Sequence, residues 1–265
     1  MLGYFGDGTV APLPLPTFSA VCAAVVDGRA TAAVLPLENS LAGTVGEAVD
    51  ALMRTRLRVL GEALLPVRHA LLGVAGAVLE DVRVVASHRQ ALAQTEGYLA
   101  RHAWDLVIAD DTAGAARQLA TSGDRTRAVV ASERAAQRYG LAVLATGIAD
   151  AGNVTRFAVA ASDAGVVPAP AGPLAPDAGA PHASLVVFET LHTPGALHHA
   201  LGALADGGVN ISRIESRPTG GIRWQYRFLV SVAGDAAAEP LRSALRELGE
   251  RAHAVEVLGS FPSAG

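Results

Sequence analysis

The stretch Val82–Gln94 reads VRVVASHRQALAQ and joins an apolar run to a helical pattern. The run predicts a β-strand over Val82–Ser87, and the spacing of the following apolar residues predicts a helix over Gln90–Ala100. The same alternation continues in both directions, with a second helix predicted over Thr112–Ala120. Apolar strands that alternate with helices are typical of a mostly parallel sheet covered on both faces. The other predicted strands are Ala32–Leu37, Leu57–Leu64, Leu106–Ala109, Ala128–Ala131, Ala142–Thr146 and Arg156–Ala160.

A proline-rich segment divides the chain. Five of the 14 prolines fall between Pro168 and Pro181, and this density excludes a helix or a central strand there. We therefore predict a linker over residues 165–182. It separates a larger α/β domain, residues 1–164, from a smaller domain, residues 183–265.

The smaller domain shows the order strand, helix, strand, strand, helix, strand. Pro194 and Pro240 suit the first turns of its two helices. This order is typical of an α+β ferredoxin-like domain. The predicted strands are Leu185–Glu189, Val209–Ser216, Trp224–Val232 and Val255–Leu258, of which the middle two form a hairpin.

The composition excludes several classes of function. Hydrophobic residues make up 51% and charged residues 17% of the 265 residues, so the chain is expected to fold. The net charge of −4, without basic runs, argues against nucleic-acid binding. All 21 basic residues are arginine, which excludes chemistry that needs a lysine amine.

The cysteine and histidine pattern predicts no metal site. Cys22 is the single cysteine, so an intrachain disulfide and a cysteine-built metal site are excluded. The eight histidines show no ligand spacing, and His69 is the one singled out as a possible site residue. No apolar run reaches the roughly 18 residues of a membrane span. We expect a cytoplasmic protein without a membrane segment.

Polar residues lie at the ends of several predicted strands, where ligands bind in open α/β sheets. Leu35–Ser40 ends in Glu38, Asn39 and Ser40, while Ser87 and Gln94 follow another strand. Asn39, Ser40 and Ser87 also suit helix N-caps, so a purely structural role stays open for them. Asn153–Phe157 is a further polar stretch, and it precedes the last strand of the larger domain.

In their order, these motifs resemble the prephenate dehydratase family with its C-terminal ACT domain. The resemblance runs from about Pro14 to Pro262. The motifs that carry it are Leu37-Glu38-Asn39-Ser40, Ser87-His88-x-Gln90-Ala91-Leu92-Ala93-Gln94, Tyr139-Gly140-Leu141, Asn153-x-Thr155-Arg156-Phe157, Pro194-Gly195-Ala196-Leu197, Glu215-Ser216-Arg217-Pro218 and Leu258-Gly259-Ser260-Phe261-Pro262.

The resemblance implies a two-lobed α/β catalytic domain, similar to periplasmic binding proteins, followed by the ferredoxin-like ACT domain. It implies a carbon–oxygen lyase that converts prephenate to phenylpyruvate in L-phenylalanine biosynthesis, without metal or cofactor. Thr155 is then the catalytic residue, with the substrate held in the cleft between the lobes. The implied substrate-binding residues are Glu38, Asn39, Ser87, Gln94, Thr112, Arg156 and Phe157.

The resemblance also implies feedback control, with L-phenylalanine bound where two ACT domains meet in a homodimer or homotetramer. The implied effector-binding residues are Pro194, Gly195, Ala196, Leu197, Glu215, Ser216, Arg217 and Pro218.

Two alternatives stay open. Only thirteen residues precede Pro14, so we expect that the first strand of the family and its glycine-threonine loop are missing. A non-catalytic homologue that senses phenylalanine is therefore one alternative. An arogenate dehydratase is the other, because nothing in the sequence distinguishes the two substrates.

Overall fold

The structure is a computed structural model that describes residues 1–149, 152–163, 167–177, 179–219 and 224–264, apart from the side chain of Leu2. The chain divides into two compact units. The first unit is Met1–Glu38, Thr44–Leu65 and Arg156–Gly265, and the second is Asn39–Gly43 with Pro66–Thr155. The polypeptide changes unit after residues 38, 43, 65 and 155, so each unit combines distant segments.

The elements follow one another in a mixed α/β order. The helices are α1 (Leu2–Phe5), α2 (Phe18–Val26), α3 (Gly46–Thr55), α4 (Arg89–Ala93), α5 (Glu96–Leu99), α6 (Thr112–Ser122), α7 (Glu133–Tyr139), α8 (Ala196–Asp206) and α9 (Leu241–Arg251), with a 3₁₀ turn at Leu79–Asp81. The strands are β1 (Ala33–Asn39), β2 (Gly43–Thr44), β3 (Arg58–Pro66), β4 (Ala70–Gly73), β5 (Val84–His88), β6 (Asp105–Ala109), β7 (Arg127–Ala131), β8 (Ala142–Ala145), β9 (Val154–Ala161), β10 (His182–Glu189), β11 (Ile211–Pro218), β12 (Tyr226–Ala233) and β13 (His253–Pro262).

One hydrophobic core in the first unit is shared by the larger and the smaller domain. The sheet of order β2-β1-β9-β3 alternates buried and half-exposed residues along β1, so Leu35 and Leu37 point inward. They pack with Leu52 of α3 and, from the smaller domain, with Leu185 and Val187. At Gly259 of β13, a Cβ atom would lie 2.0 Å from the Val59 carbonyl oxygen. Only glycine allows this close approach of the two backbones.

The smaller domain is an antiparallel sheet of order β11-β12-β10-β13 with helices on one face. Because side chains alternate along a strand, Val186 and Phe188 face α8 and α9, where they pack with Leu204 and Leu248. The predicted hairpin of β11 and β12 and the ferredoxin-like order of elements are both found in the structure. The opposite face belongs to the core described above.

The second unit contains the sheet of order β6-β5-β7-β4-β8. β5 is parallel to β6 and β7, whereas β4 is antiparallel to β7 and β8. Four of the five strands therefore run in the same direction, as predicted for a mostly parallel sheet, and β4 runs in the opposite direction. β4 is a strand of four residues that the sequence patterns did not reveal.

The segment after β5 differs from its prediction in two respects. The helix predicted over Gln90–Ala100 is two short helices, α4 and α5, and the Thr95 hydroxyl between them donates to the Ala91 carbonyl at 2.8 Å. His88, rather than Ser87, caps α4, because its Nδ1 accepts from the Gln90 amide at 3.2 Å. The Ser87 hydroxyl instead donates to the Val130 carbonyl of β7 at 2.6 Å.

The predicted linker packs against the start of the chain. Residues 165, 166 and 178 of that linker lie outside the described residues, and the described remainder up to Pro181 has turns and bends without helix or strand. The amides of Gly172 and Leu174 donate to the Tyr4 and Gly3 carbonyls at 2.8 and 2.7 Å. This part of the chain is therefore attached by backbone hydrogen bonds.

Candidate functional site

Several predicted site residues lie at one edge of the five-stranded sheet. Because β5 and β6 are parallel, their carboxyl ends meet at the same edge. Ser87 is near the end of β5, and Thr112 begins α6 just beyond β6. β4 starts at this edge, since its first residue, Ala70, pairs with Ala131 at the end of β7. His69, which precedes β4, is brought there too.

Gln94 and His69 form one buried polar pair at this edge. The His69 Nε2 atom lies 2.9 Å from Gln94 Oε1, and each residue exposes 8% of its surface. Because the amide oxygen can only accept, Nε2 carries the hydrogen and donates. The contact fixes the orientation of the Gln94 amide. Ser87 is fully buried and is held by its bond to Val130.

Asn39, Asn153 and Thr155 form a hydrogen-bonded polar cluster in the second unit. The Asn39 Oδ1 atom accepts from the amides of Leu41 and Ala42 at 3.1 and 2.9 Å. The Asn39 Nδ2 atom therefore points the other way, and it donates to Asn153 Oδ1 at 2.7 Å and Thr155 Oγ1 at 3.0 Å. These hydrogen bonds fix the orientations of the Asn39 and Asn153 side-chain amides.

The cluster determines what the Thr155 hydroxyl can do. A hydroxyl has one hydrogen to donate and two lone pairs that accept. Thr155 Oγ1 accepts from Asn39 Nδ2, so its hydrogen is directed away from Asn39. Within the described part of the chain the Thr155 hydrogen has no acceptor, so it can be donated to another molecule.

Arg156 and Glu38 lie together in the first unit, within a group of charges. The Arg156 Nε atom is 4.0 Å from a Glu38 carboxylate oxygen, and its Nη1 is 3.1 Å from Glu62. Glu38 exposes 35% of its side chain, whereas Glu62 is almost completely buried. Phe157 follows Arg156 on β9 and is half-buried.

Arg213, which the sequence analysis did not select, belongs to the same group of charges. Its Nη2 donates to the Leu37 carbonyl at 3.2 Å, and its Nε lies 3.8 Å from Glu38. Burial lowers the pKa of the Arg213 guanidinium below its usual range, although nearby Glu38 and Glu215 act in the opposite direction. The Nε and Nη1 atoms are buried without a hydrogen-bond partner in the described part of the chain.

A cavity of about 160 Å³ lies beside the first turn of α8 in the smaller domain. Of the predicted effector-binding residues, Ala196 and Leu197 line it, and exposed Pro194 and Gly195 form the turn that precedes them. The lining is completed by Thr190, Leu191, His192, Thr193, Tyr226 and Phe228.

The other predicted effector-binding residues, on β11, point in alternate directions. Glu215 accepts from the Thr44 hydroxyl at 2.7 Å, and Arg217 binds both carboxylate oxygens of Asp50 at 2.7 and 2.5 Å. Ser216 and Pro218 are exposed on the opposite side of the strand. The hydrogen bonds from Arg217 lower the pKa of the Asp50 carboxyl and raise that of Arg217.

The sequence reasoning missed Glu62, Asp50, Thr44 and Arg213, and it quoted Asn153 without assigning it a role. The position of Asn153 at the start of the Asn153–Phe157 motif was a usable signal.

Among the described residues, no group of three His, Cys, Asp or Glu side chains is arranged to hold a metal ion. No helix within the described ranges has the length and apolar character to cross a membrane.

Two known protein families match this chain. Residues 1–164 match the family described as Prephenate dehydratase, and residues 184–250 match the family described as ACT domain. The chain belongs to the prephenate dehydratase family. The resemblance that the motifs indicated is confirmed, as are the predicted fold class and the prediction of a dehydratase enzyme.

Individual relatives agree with this assignment. The chain is 38% identical over 252 residues to the bifunctional N-acyl-homoserine lactone acylase/prephenate dehydratase of Komagataeibacter europaeus, covering 95% of this chain and 87% of that protein. It is 39% identical over 260 residues to arogenate dehydratase/prephenate dehydratase 2, chloroplastic, of Arabidopsis thaliana, covering 94% and 66% respectively. A crystal structure of prephenate dehydratase from Arthrobacter aurescens, in complex with L-Phe, is 31% identical with a TM-score of 0.84, covering 98% and 84%.

Proposed function

We propose that this protein converts prephenate to phenylpyruvate, with the Thr155 hydroxyl as donor to the departing oxygen. The ring carboxylate leaves as carbon dioxide, its bonding electrons enter the ring, and the ring hydroxyl departs as water after taking up one proton that comes from the solvent. The product is aromatic, which supplies the driving force. The observation that carries the proposal is the hydrogen bond from Asn39 to Thr155, because it orients the hydroxyl as a donor.

Thr155 acts here by hydrogen bonding rather than by full proton transfer. A threonine hydroxyl is a weak acid, but an oriented donor stabilises charge that develops on a departing oxygen. Asn39 is itself held by two backbone amides and by Asn153, so the donor is fixed before substrate arrives. Such preorganisation lowers the barrier without a reorganisation cost during the reaction.

The remaining predicted residues bind and orient the substrate. Prephenate is a dianion, and Arg156, next to Thr155 in sequence and 26% exposed, supplies a positive charge. Planar guanidinium groups suit carboxylates because they donate two parallel hydrogen bonds. The full set that we propose for substrate binding is Glu38, Asn39, Ser87, Gln94, Thr112, Arg156 and Phe157.

L-Phenylalanine is the proposed effector, bound to the ACT domain. The support is the cavity beside α8, which Phe228 and Tyr226 line with apolar rings, together with the bound L-Phe named for the Arthrobacter aurescens protein. The proposed effector-binding residues are Pro194, Gly195, Ala196, Leu197, Glu215, Ser216, Arg217 and Pro218. We further propose a cytoplasmic homodimer or homotetramer.

The second activity in the name of the Komagataeibacter europaeus relative would require an activated nucleophile. Thr155 Oγ1 accepts from an amide, and Ser87 Oγ donates to a carbonyl. Neither contact supplies a base to remove the hydroxyl proton. These contacts favour the dehydratase reaction.

Turnover of two substrates tests the proposal. Purified protein is given prephenate or arogenate separately, and phenylpyruvate and phenylalanine are measured as the respective products. We expect faster formation of phenylpyruvate, reduced by added L-phenylalanine. A folded sample that binds L-phenylalanine in a calorimeter but converts neither substrate would instead be the non-catalytic homologue.

A further inference from the structure

Glu62 is a buried carboxylate in the middle of β3, with 4% of its side chain exposed. Its Oε2 atom accepts from Arg156 Nη1 at 3.1 Å. Its Oε1 atom accepts from the Ser263 hydroxyl at 2.7 Å and from the Ala264 amide at 2.9 Å. Three donors from two distant segments therefore converge on one carboxylate.

The three donors fix the position of the Glu62 carboxylate. An ionised carboxylate taken out of water is costly unless its oxygens are paired with donors. Here both oxygens are occupied, and the position of each oxygen is determined by a different segment. One oxygen of Glu62 is bound to Arg156 of β9. The other oxygen is bound to residues 263–264, which follow the ACT-domain strand β13.

We infer that Glu62 is a positioning residue, which holds the Arg156 guanidinium where it binds a substrate carboxylate. Ser263 and Ala264 in turn fix the position of Glu62 by their hydrogen bonds to Oε1. The inference rests on the proposed function, because it assigns Arg156 to substrate. A guanidinium carries five N–H donors, and Glu62 engages it at Nη1, so donors remain for a planar carboxylate.

Glu62→Gln tests the inference with little change in volume. The amide that replaces the carboxylate has one accepting oxygen and one NH₂ donor. If its oxygen keeps Ser263 and Ala264, its NH₂ group faces the Arg156 donor; if it turns to Arg156, it faces the Ala264 amide. In either orientation two N–H donors face each other, so Arg156 or the side chain at position 62 is displaced.

The expected result is weaker substrate binding with turnover largely kept. We expect KM for prephenate to rise about tenfold, which is less than the roughly 10²-fold that a 1 Å misplacement can cost. Its Kd, measured by calorimetry in the Thr155→Ala background so that prephenate is hardly consumed, should rise by a similar factor. A charge effect alone predicts the reverse, because Glu62→Gln makes the site more positive and attracts a dianion. Glu250→Gln, on the exposed face of α9, is the matched control and should leave KM and Kd unchanged.

Ser263→Ala is the second variant, for the case that Glu62→Gln does not fold. It removes one of the three donors and should raise KM and Kd in the same direction by a smaller factor. Folded variants with lowered thermal stability but unchanged KM and Kd would overturn the inference and leave Glu62 a structural residue. If the natural protein binds prephenate without turnover, the proposed function fails while the Kd comparison still decides on Glu62. If it does not bind prephenate, both fail.

Discussion

Arg217 of the ACT domain holds Asp50 of the catalytic domain through two hydrogen bonds, Nε to Oδ1 at 2.7 Å and Nη2 to Oδ2 at 2.5 Å. Asp50 lies on α3, whose other face is buried in the shared core. Bidentate pairs of this kind fix the orientation as well as the distance of the two groups. The strand that carries four of the proposed effector residues is thus attached directly to a catalytic-domain helix.

This pair should make stability depend on acid. The Arg217 hydrogen bonds lower the pKa of Asp50 in the folded protein, so its contribution is present above the unfolded pKa, about 3.9, and is lost as pH falls through the lower, folded value. After allowance for partial exposure, we expect about 0.5–1 kcal/mol. Thermal unfolding of the natural protein and Asp50→Asn at pH 7 and at pH 3 measures it. Equal losses of stability in the two proteins would contradict the prediction.

Removing the Thr155 hydroxyl should abolish most turnover. Thr155→Ala loses the donor to the departing oxygen, and a lost donor of this kind costs about 10²–10³-fold in kcat. Thr155→Ser keeps the hydroxyl and should retain much more activity. Phenylpyruvate formation is the measurement, with circular dichroism to verify folding. Near-natural kcat in Thr155→Ala would remove Thr155 from the mechanism.

Asn153→Asp should make activity more sensitive to pH. The new carboxylate keeps an acceptor for Asn39 Nδ2, and the replaced Nδ2 group has no hydrogen-bond partner among the described residues. The negative charge of the new carboxylate repels a dianionic substrate, and burial raises the pKa of this carboxyl group. We therefore expect kcat/KM to fall at pH 8 by about tenfold and to recover partly at pH 6. The pH profile of the natural protein is the control, and parallel profiles would refute the prediction.

Gly195→Val should weaken inhibition by L-phenylalanine. Gly195 has φ of +81° immediately before α8, and an added Cβ would lie 3.3 Å from His199 Nε2. A β-branched residue is strained at positive φ, so the turn beside the cavity shifts. We expect the half-inhibiting concentration, relative to each variant's own rate without phenylalanine, to rise about tenfold. Gly249→Val is the control because a Cβ there meets open space; equal responses of the two variants would count against the proposed effector site.

Arg213→Met should change stability very little. The arginine side chain is only 7% exposed, and two of its nitrogen atoms have no hydrogen-bond partner among the described residues, so its desolvation offsets much of its pairing. Glu38 is not left buried and alone, because it is 35% exposed and still faces Arg156. Urea unfolding should show a difference of less than about 1 kcal/mol. Arg213 Nη2 also donates to the Thr44 hydroxyl at 3.4 Å. A loss above about 3 kcal/mol would show that the hydrogen bonds to Leu37 and Thr44 dominate.

The periodic parts of the fold could be predicted from sequence. Each of the seven strands predicted for the larger domain has a counterpart, and the hairpin of β11 and β12 lies where apolar alternation placed it. β4 was missed because Ala70–Gly73 is an apolar run of only four residues, too short for periodicity to identify it as a strand. His88 was missed as the cap of α4 because serine is the more common N-cap.

Contacts between distant residues could not be predicted in the same way. Glu62 sits inside an apolar strand, and nothing local indicates that it faces Arg156, 94 positions away. Asp50 likewise appears in sequence as a polar residue on a helix, although it pairs with Arg217 of the other domain. Residues that bind substrate are recognisable by motif, whereas those that support them depend on tertiary packing.

The core shared by Leu35, Leu185 and Val187, with Gly259 pressed against Val59, has an evolutionary consequence. Deleting the ACT domain would expose this hydrophobic surface to water and promote aggregation. In evolution, the proposed inhibition by L-phenylalanine is therefore expected to be lost through substitutions that spare the shared core rather than through loss of the ACT domain.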